Sequence, residues 1–181
     1  MDLELSEAQQ ILRTTSRELL TAECPLTLVM QMEDDTKGYS QDLWEKMAEL
    51  GWLALVFPEK YGGIDSNFLD LSVLLEEMGR ALVPGPFFST VVLGGLTLLD
   101  CADESVKTNL IPKICAGELL MTLALTETSG TYQLDSIETE ASYQNGQFII
   151  NGTKLFVTDA HVSDLLILVA RTQNTTEQED G

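Results

Sequence analysis

Two short segments of the sequence combine hydroxyl groups, tight turns and an aromatic ring. The first segment, residues 121–132, begins as an apolar stretch and runs into a turn rich in threonine, serine and glycine. Such a turn leaves backbone N–H groups unpaired by any sheet, and its hydroxyls can both donate and accept hydrogen bonds. A flat, polar heterocycle could use these groups. The first segment is therefore predicted to be a strand followed by a ligand-binding turn.

The second segment, residues 151–159, opens with an Asn-Gly pair, which is typical of a tight turn between strands. The residues after it alternate in type, which predicts a strand with Lys154, Phe156 and Thr158 on one face. That face would carry an aromatic ring beside a hydroxyl, and we expect it to fold against the first segment. The alternative is that Phe156 is a core aromatic of a β-sheet.

The composition is that of a globular protein with a strong negative charge. Its 181 residues are 44% hydrophobic, which is enough to form a core in one large domain or two small ones. The 29 acidic residues against 10 basic ones give a net charge of −19, so nucleic acid and an anionic membrane surface are poor partners. The apolar runs at 52–57 and 87–99 are too short to span a membrane.

Cysteine and histidine indicate neither a metal site nor a catalytic triad. Cys24, Cys101 and Cys115 are far apart in sequence and form no CxxC pair, which predicts reduced thiols. His161, the single histidine, has no nucleophile at a readable spacing and is interpreted as a surface residue. The acidic N-terminus lacks the basic and apolar regions of a signal peptide, which indicates a cytoplasmic protein.

Helical signals dominate the first 118 residues. Ser6 and Gln9 have the spacing of a capping box, and Ser40 is placed to cap a second helix. Within 66–82, an apolar stripe predicts a buried face, and Glu77 falls off that stripe and is interpreted as solvated. The predicted helices cover residues 6–22, 40–50, 66–82, 87–99, 103–109 and 112–117, with an exposed acidic loop at 31–39.

From Leu119 the apolar pattern changes to a period of two, which indicates strands. Asn145-Gly146 predicts a hairpin turn, and residues 163–171 read as a strand buried on both faces. The predicted class is α+β, with a helical bundle followed by an incomplete antiparallel β-sandwich or barrel. We expect a helical domain at 1–118, a partial β domain at 119–172 and a disordered acidic tail at 173–181.

The two segments, together with Phe57-Pro-Glu-Lys-Tyr-Gly-Gly63 and Leu110-Ile-Pro-Lys-Ile-Cys-Ala-Gly-Glu-Leu119, resemble the acyl-CoA dehydrogenase family of flavoproteins. The resemblance covers the N-terminal helical and middle β domains of that family, in the right order. The family also has a C-terminal helical domain that carries the catalytic base, and nothing here corresponds to it. We therefore expect a truncated, catalytically incomplete chain in which no residue is assigned as the base.

The resemblance implies that FAD is the cofactor and that the two segments contact its isoalloxazine ring. Phe156 stands where a family tryptophan packs on the flavin, and Thr158 would place its hydroxyl near flavin N5. Glu127 matches a glutamate of the flavin-binding turn and is not assigned as the base. The implied cofactor-binding residues are Leu123, Leu125, Thr126, Thr131, Tyr132, Phe156, Val157 and Thr158, of which Thr131 and Tyr132 would also contact the acyl-CoA.

This sequence departs from the family motif at four positions of the turn. Thr128 replaces a proline, and Thr131, Tyr132 and Gln133 stand at the positions of a Gly-Ser-Asp motif. The family serine contacts both the flavin and the CoA portion of the substrate, so a tyrosine at position 132 argues against ordinary acyl-CoA binding. CoA and FAD are themselves anionic, so their phosphates would need backbone N–H groups or local cations in this acidic chain.

The resemblance implies FAD-dependent α,β-dehydrogenation of an acyl-CoA thioester, within a homo- or hetero-oligomer. Electron-transfer flavoprotein or another acceptor would take the electrons. The alternative is a non-catalytic assembly or acyl-thioester-binding subunit of a hetero-oligomeric acyl-CoA dehydrogenase, which Thr128, Tyr132 and Gln133 would allow. A third interpretation, an acidic interaction domain without a ligand, explains the charge but neither motif.

Overall fold

The computed structural model describes residues 4–172 and has an α+β fold in which the helices precede the strands. The tail predicted to be disordered, residues 173–181, lies outside the described residues. The α-helices are α1 (Glu7–Glu23), α2 (Leu26–Glu33), α3 (Gln41–Glu49), α4 (Phe68–Arg80), α5 (Thr97–Cys101) and α6 (Glu104–Cys115). A π-helix, Phe88–Leu96, leads directly into α5, and short 3₁₀ turns lie at Glu59–Tyr61 and Leu134–Ser136.

Local capping signals set the starts of several helices. The Ser6 side chain accepts from the Gln9 backbone N–H while the Gln9 side chain accepts from the Ser6 N–H, so the predicted capping box is present. The Ser40 hydroxyl accepts from the Leu43 N–H at the start of α3. Pro25 stands at the start of α2, where its missing N–H costs no helical bond. Because α2 extends to Glu33, the loop predicted at 31–39 begins only after that residue.

Glu77 is buried, and its interpretation as a solvated residue is wrong. The carboxylate of this α4 residue accepts from Arg17 on α1, at 2.5 and 2.9 Å, and from Arg80 at 2.8 Å. The hydrogen bond from Arg17, helped by Arg80 and opposed by burial, lowers the pKa of Glu77 to about 2. The apolar stripe predicts the buried face only in part, because Phe68 and Leu82 at its ends are exposed.

The helix predicted at 87–99 exists, but most of it has π rather than α geometry. Two of its glycines allow very close packing. A Cβ on Gly94 would lie 2.5 Å from Met121 Cγ, and one on Gly95 would lie 2.5 Å from Phe57 Cζ. The π-helix therefore packs directly against the start of the first strand. The predicted break before Pro112 is wrong, since α6 runs through it and packing of the buried neighbours Ile111 and Ile114 holds the helix.

The strands form two small sheets: β1 (Met121–Ala124) pairs in parallel with β4 (Leu165–Leu168), and β2 (Glu140–Gln144) pairs antiparallel with β3 (Gln147–Asn151). Asn145 and Gly146 have the positive φ angles of the predicted hairpin turn. The strand predicted at 163–171 is shorter, and it is not buried on both faces, because Leu165 and Leu166 are exposed.

The hydrophobic core lies mainly among the helices and reaches the start of the first strand. Its large, fully buried side chains include Leu20, Trp44, Phe57, Leu71, Leu74, Ile111, Ile114 and Met121. The core thus includes residues from both sides of residue 118, and the domain limits 1–118 and 119–172 stay a prediction. Among the helices of residues 4–172, none is long and apolar enough to cross a membrane.

Candidate functional site

The structure brings the first and second segments into contact. The Leu155 N–H donates to the Thr126 carbonyl oxygen at 2.8 Å. The Lys154 ammonium donates to the Leu125 carbonyl oxygen at 3.1 Å and to Glu127 Oε1 at 2.6 Å. Each of these bonds joins residues that are 27 to 29 positions apart in sequence. The expectation that the two segments fold against each other is confirmed.

The strand predicted for residues 154–158 is wrong. Beyond Asn151 the chain follows bends and turns up to Asp164, and Phe156 and Asp159 have φ angles of 52° and 54°. Left-handed backbone of this kind turns a side chain away from strand alternation and costs roughly 1–2 kcal/mol per residue outside glycine. The Phe156 ring is consequently 90% exposed, so it is neither a core aromatic nor part of a flat strand face.

The turn of the first segment is organised around the buried carboxylate of Glu127. Oε1 accepts from the Thr139 N–H, the Thr139 hydroxyl and Lys154, while Oε2 accepts from the Glu138 N–H at 2.6 Å. Burial by itself raises the pKa of Glu127, but the hydrogen bonds from Lys154, Thr139 and Glu138 outweigh it and lower the pKa to about 2. Glu127 and Lys154 are each 5% exposed, so they form a buried ion pair.

The π-helix touches both segments through adjacent residues. The buried hydroxyl of Thr90 accepts from the Met121 N–H at 3.3 Å, at the start of β1. The buried hydroxyl of Ser89 donates to Asp159 Oδ2 at 2.6 Å, at the end of the second segment. The helical half of the chain therefore helps to fix the relative position of the two segments.

Several polar groups of the two segments face no protein partner. Within the described residues, the hydroxyls of Thr126, Thr128, Ser129 and Thr158 make no hydrogen bond, and neither does the backbone N–H of Thr126 or Thr128. The Thr131 hydroxyl accepts from the Gln133 N–H. These groups lie on both segments and are the kind that hold the edge of a polar heterocycle.

The remaining predicted site residues differ in their exposure to solvent. Leu123, Leu125, Thr131 and Val157 are half-buried, whereas Tyr132 is 76% exposed. Within residues 4–172, the Tyr132 side chain makes no hydrogen bond or aromatic contact that would fix it against the turn. The structure therefore brings together residues of both segments, with two aromatic side chains, Tyr132 and Phe156, reaching into solvent.

The charge around the two segments is unfavourable for phosphate. The basic side chains between residues 119 and 172 are Lys154 and Arg171. Lys154 is used by Glu127 and Leu125, and Arg171 donates to the carbonyl oxygens of Leu134 and Ile137. A cavity of about 390 Å³ on one side of the turn is lined by three glutamates, Glu127, Glu138 and Glu140. A diphosphate would therefore have to bind away from this cavity.

Within the part of the chain that the structure describes, the possible metal ligands are scattered and the Cys115 thiol is buried. Residues 4–172 contain no group of three or more histidine, cysteine or acidic side chains that could hold a metal ion. Burial raises the pKa of the Cys115 thiol to about 11, so it is protonated at neutral pH. His161 is exposed, as predicted, and its Nε2 lies 3.2 Å from the Lys37 carbonyl oxygen.

Sequence reasoning missed the residues that hold the site in place. Lys154 is predicted to share a strand face with Phe156 and Thr158, but its side chain turns inward to Glu127. Asp159 and Ser89 carried no signal at all, because they are 70 residues apart and neither belongs to a short motif with the other. The sequence offered one hint of the ion pair: Lys154 and Glu127 each lie beside a turn, in a region with few basic residues.

The sequence matches two family models: the N-terminal domain of acyl-CoA dehydrogenase over residues 6–118, and the middle domain of acyl-CoA dehydrogenase over residues 122–181. Together these matches cover nearly the whole chain.

Relatives and solved structures agree with this assignment. The mitochondrial long-chain specific acyl-CoA dehydrogenase of Rattus norvegicus is 33% identical over 136 residues, which are 74% of this chain and 31% of that protein. Cyclohex-1-ene-1-carbonyl-CoA dehydrogenase of Geobacter metallireducens is 31% identical over 93% of this chain and 44% of that protein. The Tcur3481-Tcur3483 steroid ACAD superposes with a TM-score of 0.84 at 28% identity, over 100% of this chain and 47% of that chain.

The chain thus spans less than half the length of these relatives. The match to the N-terminal domain precedes the match to the middle domain along the chain. Nearly all of the two segments lies within the second match. From the fold, the two matched models and the relatives together, the chain belongs to the acyl-CoA dehydrogenase family.

Proposed function

We propose that this chain forms the helical and flavin-contacting part of an FAD-dependent oxidoreductase that introduces an α,β double bond into an acyl-CoA thioester. One observation carries the proposal. The Leu155 N–H bonds to the Thr126 carbonyl and so joins two segments whose hydroxyls, at Thr126 and Thr158, are free to meet a ligand. Oxidoreductases of the acyl-CoA dehydrogenase type among its relatives support the reaction class.

The residues present fit the polar edge and the face of a flavin ring. Thr126 would donate through its N–H and hydroxyl, Thr158 through its hydroxyl, and Phe156 offers an exposed ring for stacking. The half-buried side chains that would flank the ring are those of Leu123, Leu125, Thr131 and Val157, with Tyr132 beside them. When bound, FAD would supply the acceptor of the substrate hydride, and donors near it favour the charge of the reduced ring.

The α-proton of the substrate is proposed to go to a base outside these two domains. Glu127 is the acidic residue of the first segment, and both of its carboxylate oxygens already accept hydrogen bonds. A carboxylate with a pKa of about 2 is also a weak base at neutral pH. Its role is to hold the turn, so dehydrogenation would require a carboxylate supplied by further sequence or by a partner chain.

The test is a titration of the purified chain with FAD, followed by flavin fluorescence and thermal unfolding. The proposal expects saturable binding, flavin absorption that stays with the protein, and a higher melting temperature with FAD. Thr158→Val is expected to weaken binding about 5–10-fold, the cost of about one hydrogen bond. Thr108→Val, at an exposed position of α6, makes the same substitution outside the two segments and is expected to leave FAD binding unchanged.

A second candidate is a non-catalytic assembly or acyl-thioester-binding subunit. Tyr132 favours it, because a large, 76% exposed ring stands where the family serine would contact both flavin and CoA. The Tcur3481-Tcur3483 steroid ACAD carries two designations in its name, which is compatible with this candidate. A colourless chain that FAD does not stabilise, but that an acyl-CoA or a partner subunit does, would support this candidate over the first.

The partners and the location of this protein are also part of the proposal. Electron-transfer flavoprotein or another acceptor would take the electrons, assembly would be homo- or hetero-oligomeric, and the location would be cytoplasmic. The structure adds one physical constraint on partners. The basic side chains near the two segments are already used, so the phosphates of FAD or CoA would be held by backbone N–H groups or by another chain.

A further inference from the structure

One hydrogen bond connects the buried interior of the helical half to the end of the second segment. Ser89 lies on the π-helix with no exposed surface, and its hydroxyl lies 2.6 Å from Asp159 Oδ2 and 3.1 Å from the Pro86 carbonyl oxygen. A serine hydroxyl has a single proton, and the shorter contact is to a charged acceptor. The Ser89 proton therefore goes to Asp159, 70 residues further along the chain.

Asp159 stabilises the loop that follows Thr158 through hydrogen bonds to its backbone carbonyl. Its carbonyl oxygen accepts from the Val162 N–H, the Ser163 N–H and the Ser163 hydroxyl, at 2.9 to 3.2 Å. Its own backbone is left-handed, as is that of Phe156 three residues earlier. Backbone of this kind persists only where the surrounding structure over-determines it. The bond from Ser89 is the side-chain contact that fixes Asp159 within the described residues.

The π-helix itself is well placed to act as a fixed reference. Gly94 lies against Met121 so closely that a Cβ would stand 2.5 Å from Met121 Cγ, and Thr90 accepts the Met121 N–H. Two adjacent residues, Ser89 and Thr90, therefore anchor the second and the first segment respectively. π-Helical turns are rare and occur often at functional sites.

We propose that Ser89 is a positioning residue for the flavin site, acting through the carboxylate of Asp159 to hold Phe156 and Thr158 in place. This inference rests on the proposed function, since it assigns to Ser89 a role in FAD binding. Ser89 does not contact the ligand. It acts by setting where the second segment stands relative to the first.

The experiment compares the purified chain with Ser89→Ala, Asp159→Asn and the control Ser163→Ala. Asparagine at 159 keeps an oxygen that accepts from Ser89, so Asp159→Asn is the conservative variant. Ser163→Ala removes a hydroxyl from the same loop, but two backbone N–H groups still hold the Asp159 carbonyl. Each variant is measured by hydrogen–deuterium exchange of residues 152–163 and by its dissociation constant and visible spectrum with FAD.

In Ser89→Ala, amide exchange within 155–163 should be about 10-fold faster with the helical half unchanged, and the FAD dissociation constant should rise about 5–10-fold with an altered flavin spectrum. Asp159→Asn keeps an accepting oxygen but loses the charge, so its effect should be smaller than that of Ser89→Ala, whereas Ser163→Ala should stay within about 2-fold of the unmodified chain. Faster exchange with unchanged FAD affinity and spectrum would show a structural contact only and overturn the inference. If the unmodified chain binds no FAD, the proposed function fails and this inference with it.

Discussion

The helical half and the β half of the chain each contain one fully engaged, buried glutamate, and the two are satisfied in different ways. Glu77 joins α1 to α4 through Arg17 and Arg80, whose side chains are about half exposed. Glu127 accepts from Lys154, which is 5% exposed, and from the backbone N–H groups of Glu138 and Thr139, just before β2. The first carboxylate fastens two helices that already share a hydrophobic core. The second organises a turn that has little core of its own.

This difference reflects the interactions that stabilise each half of the chain. Most of the large, fully buried apolar side chains belong to the helices, so packing supplies their stability. In the β half, Tyr143, Phe148, Ile149 and Ile150 of the hairpin are exposed, and so is Phe156. There the polar bonds of Glu127, Lys154 and Arg171 define the backbone. We conclude that the candidate site is held by buried polar contacts more than by hydrophobic packing.

The largest expected effect comes from removing one carboxylate at a time. Glu127→Gln leaves the Lys154 ammonium buried without its ion pair, which is expected to cost about 3–5 kcal/mol. Glu77→Gln should cost less, about 1–3 kcal/mol, because Arg17 and Arg80 can reach water. Hydrogen exchange of both variants would test the comparison. Glu127→Gln should open residues 125–155 while α1 and α4 stay protected, and equal effects of the two variants on both halves would contradict it.

Acid should weaken both halves in the same pH window. The pKa values of Glu77 and Glu127 are about 2 in the folded chain, against 4.5 for an ordinary glutamate. A lowered folded-state pKa adds stability above the unfolded pKa, and this stability is lost as the pH falls toward 2. Each glutamate therefore contributes stability at neutral pH, on the order of a few kcal/mol. Chemical unfolding at pH 7, 4.5 and 3 should show a falling free energy, and the fall should be smaller in Glu77→Gln.

Thr122→Val is expected to stabilise the chain by about 1 kcal/mol. The Thr122 hydroxyl is fully buried on β1, and it has no hydrogen-bond partner among residues 4–172. Valine has nearly the same shape and removes an unsatisfied polar group. The measurement is the free energy of unfolding in urea, with Thr139→Val as the contrasting variant. Thr139 donates to Glu127, so its loss should destabilise the chain.

The smallest predicted effect on stability is at the exposed ring of the second segment. Phe156→Gly should leave the free energy of unfolding unchanged or raise it by up to about 1 kcal/mol, because glycine adopts a φ of 52° without strain. The same change should weaken FAD binding by removing the ring. Thermal unfolding with and without FAD separates the two effects. A clear loss of stability without FAD would show that Phe156 packs in the core.

Local signals predicted much of the fold. The capping box at Ser6 and Gln9 and the Asn145-Gly146 turn depend on residues within a few positions of one another, so the sequence carries them directly. The helices around the core follow from their apolar spacing. The π geometry at 88–96 could not be predicted in this way, since it depends on close packing of Gly94 and Gly95 against Met121 and Phe57.

The candidate site was predicted in its parts but not in its geometry. The motifs predicted that the two segments fold against each other, and their contact through Thr126 and Leu155 is confirmed. The strand expected at 154–158 is wrong because alternation in the sequence says nothing of distant contacts. There the backbone is fixed by Glu127 and Ser89, which are 27 and 70 residues away from their partners. Long-range polar contacts of this kind leave no periodic signal.

The most direct test of the flavin site is a nuclear magnetic resonance titration of the isotope-labelled chain with FAD. The account predicts that the largest amide shifts fall in both segments at once, at Thr126, Thr128, Phe156 and Thr158, while the β2–β3 hairpin and α1 stay unchanged. Shifts confined to another surface, or to only one of the two segments, would contradict the claim that they form a single flavin-binding wall.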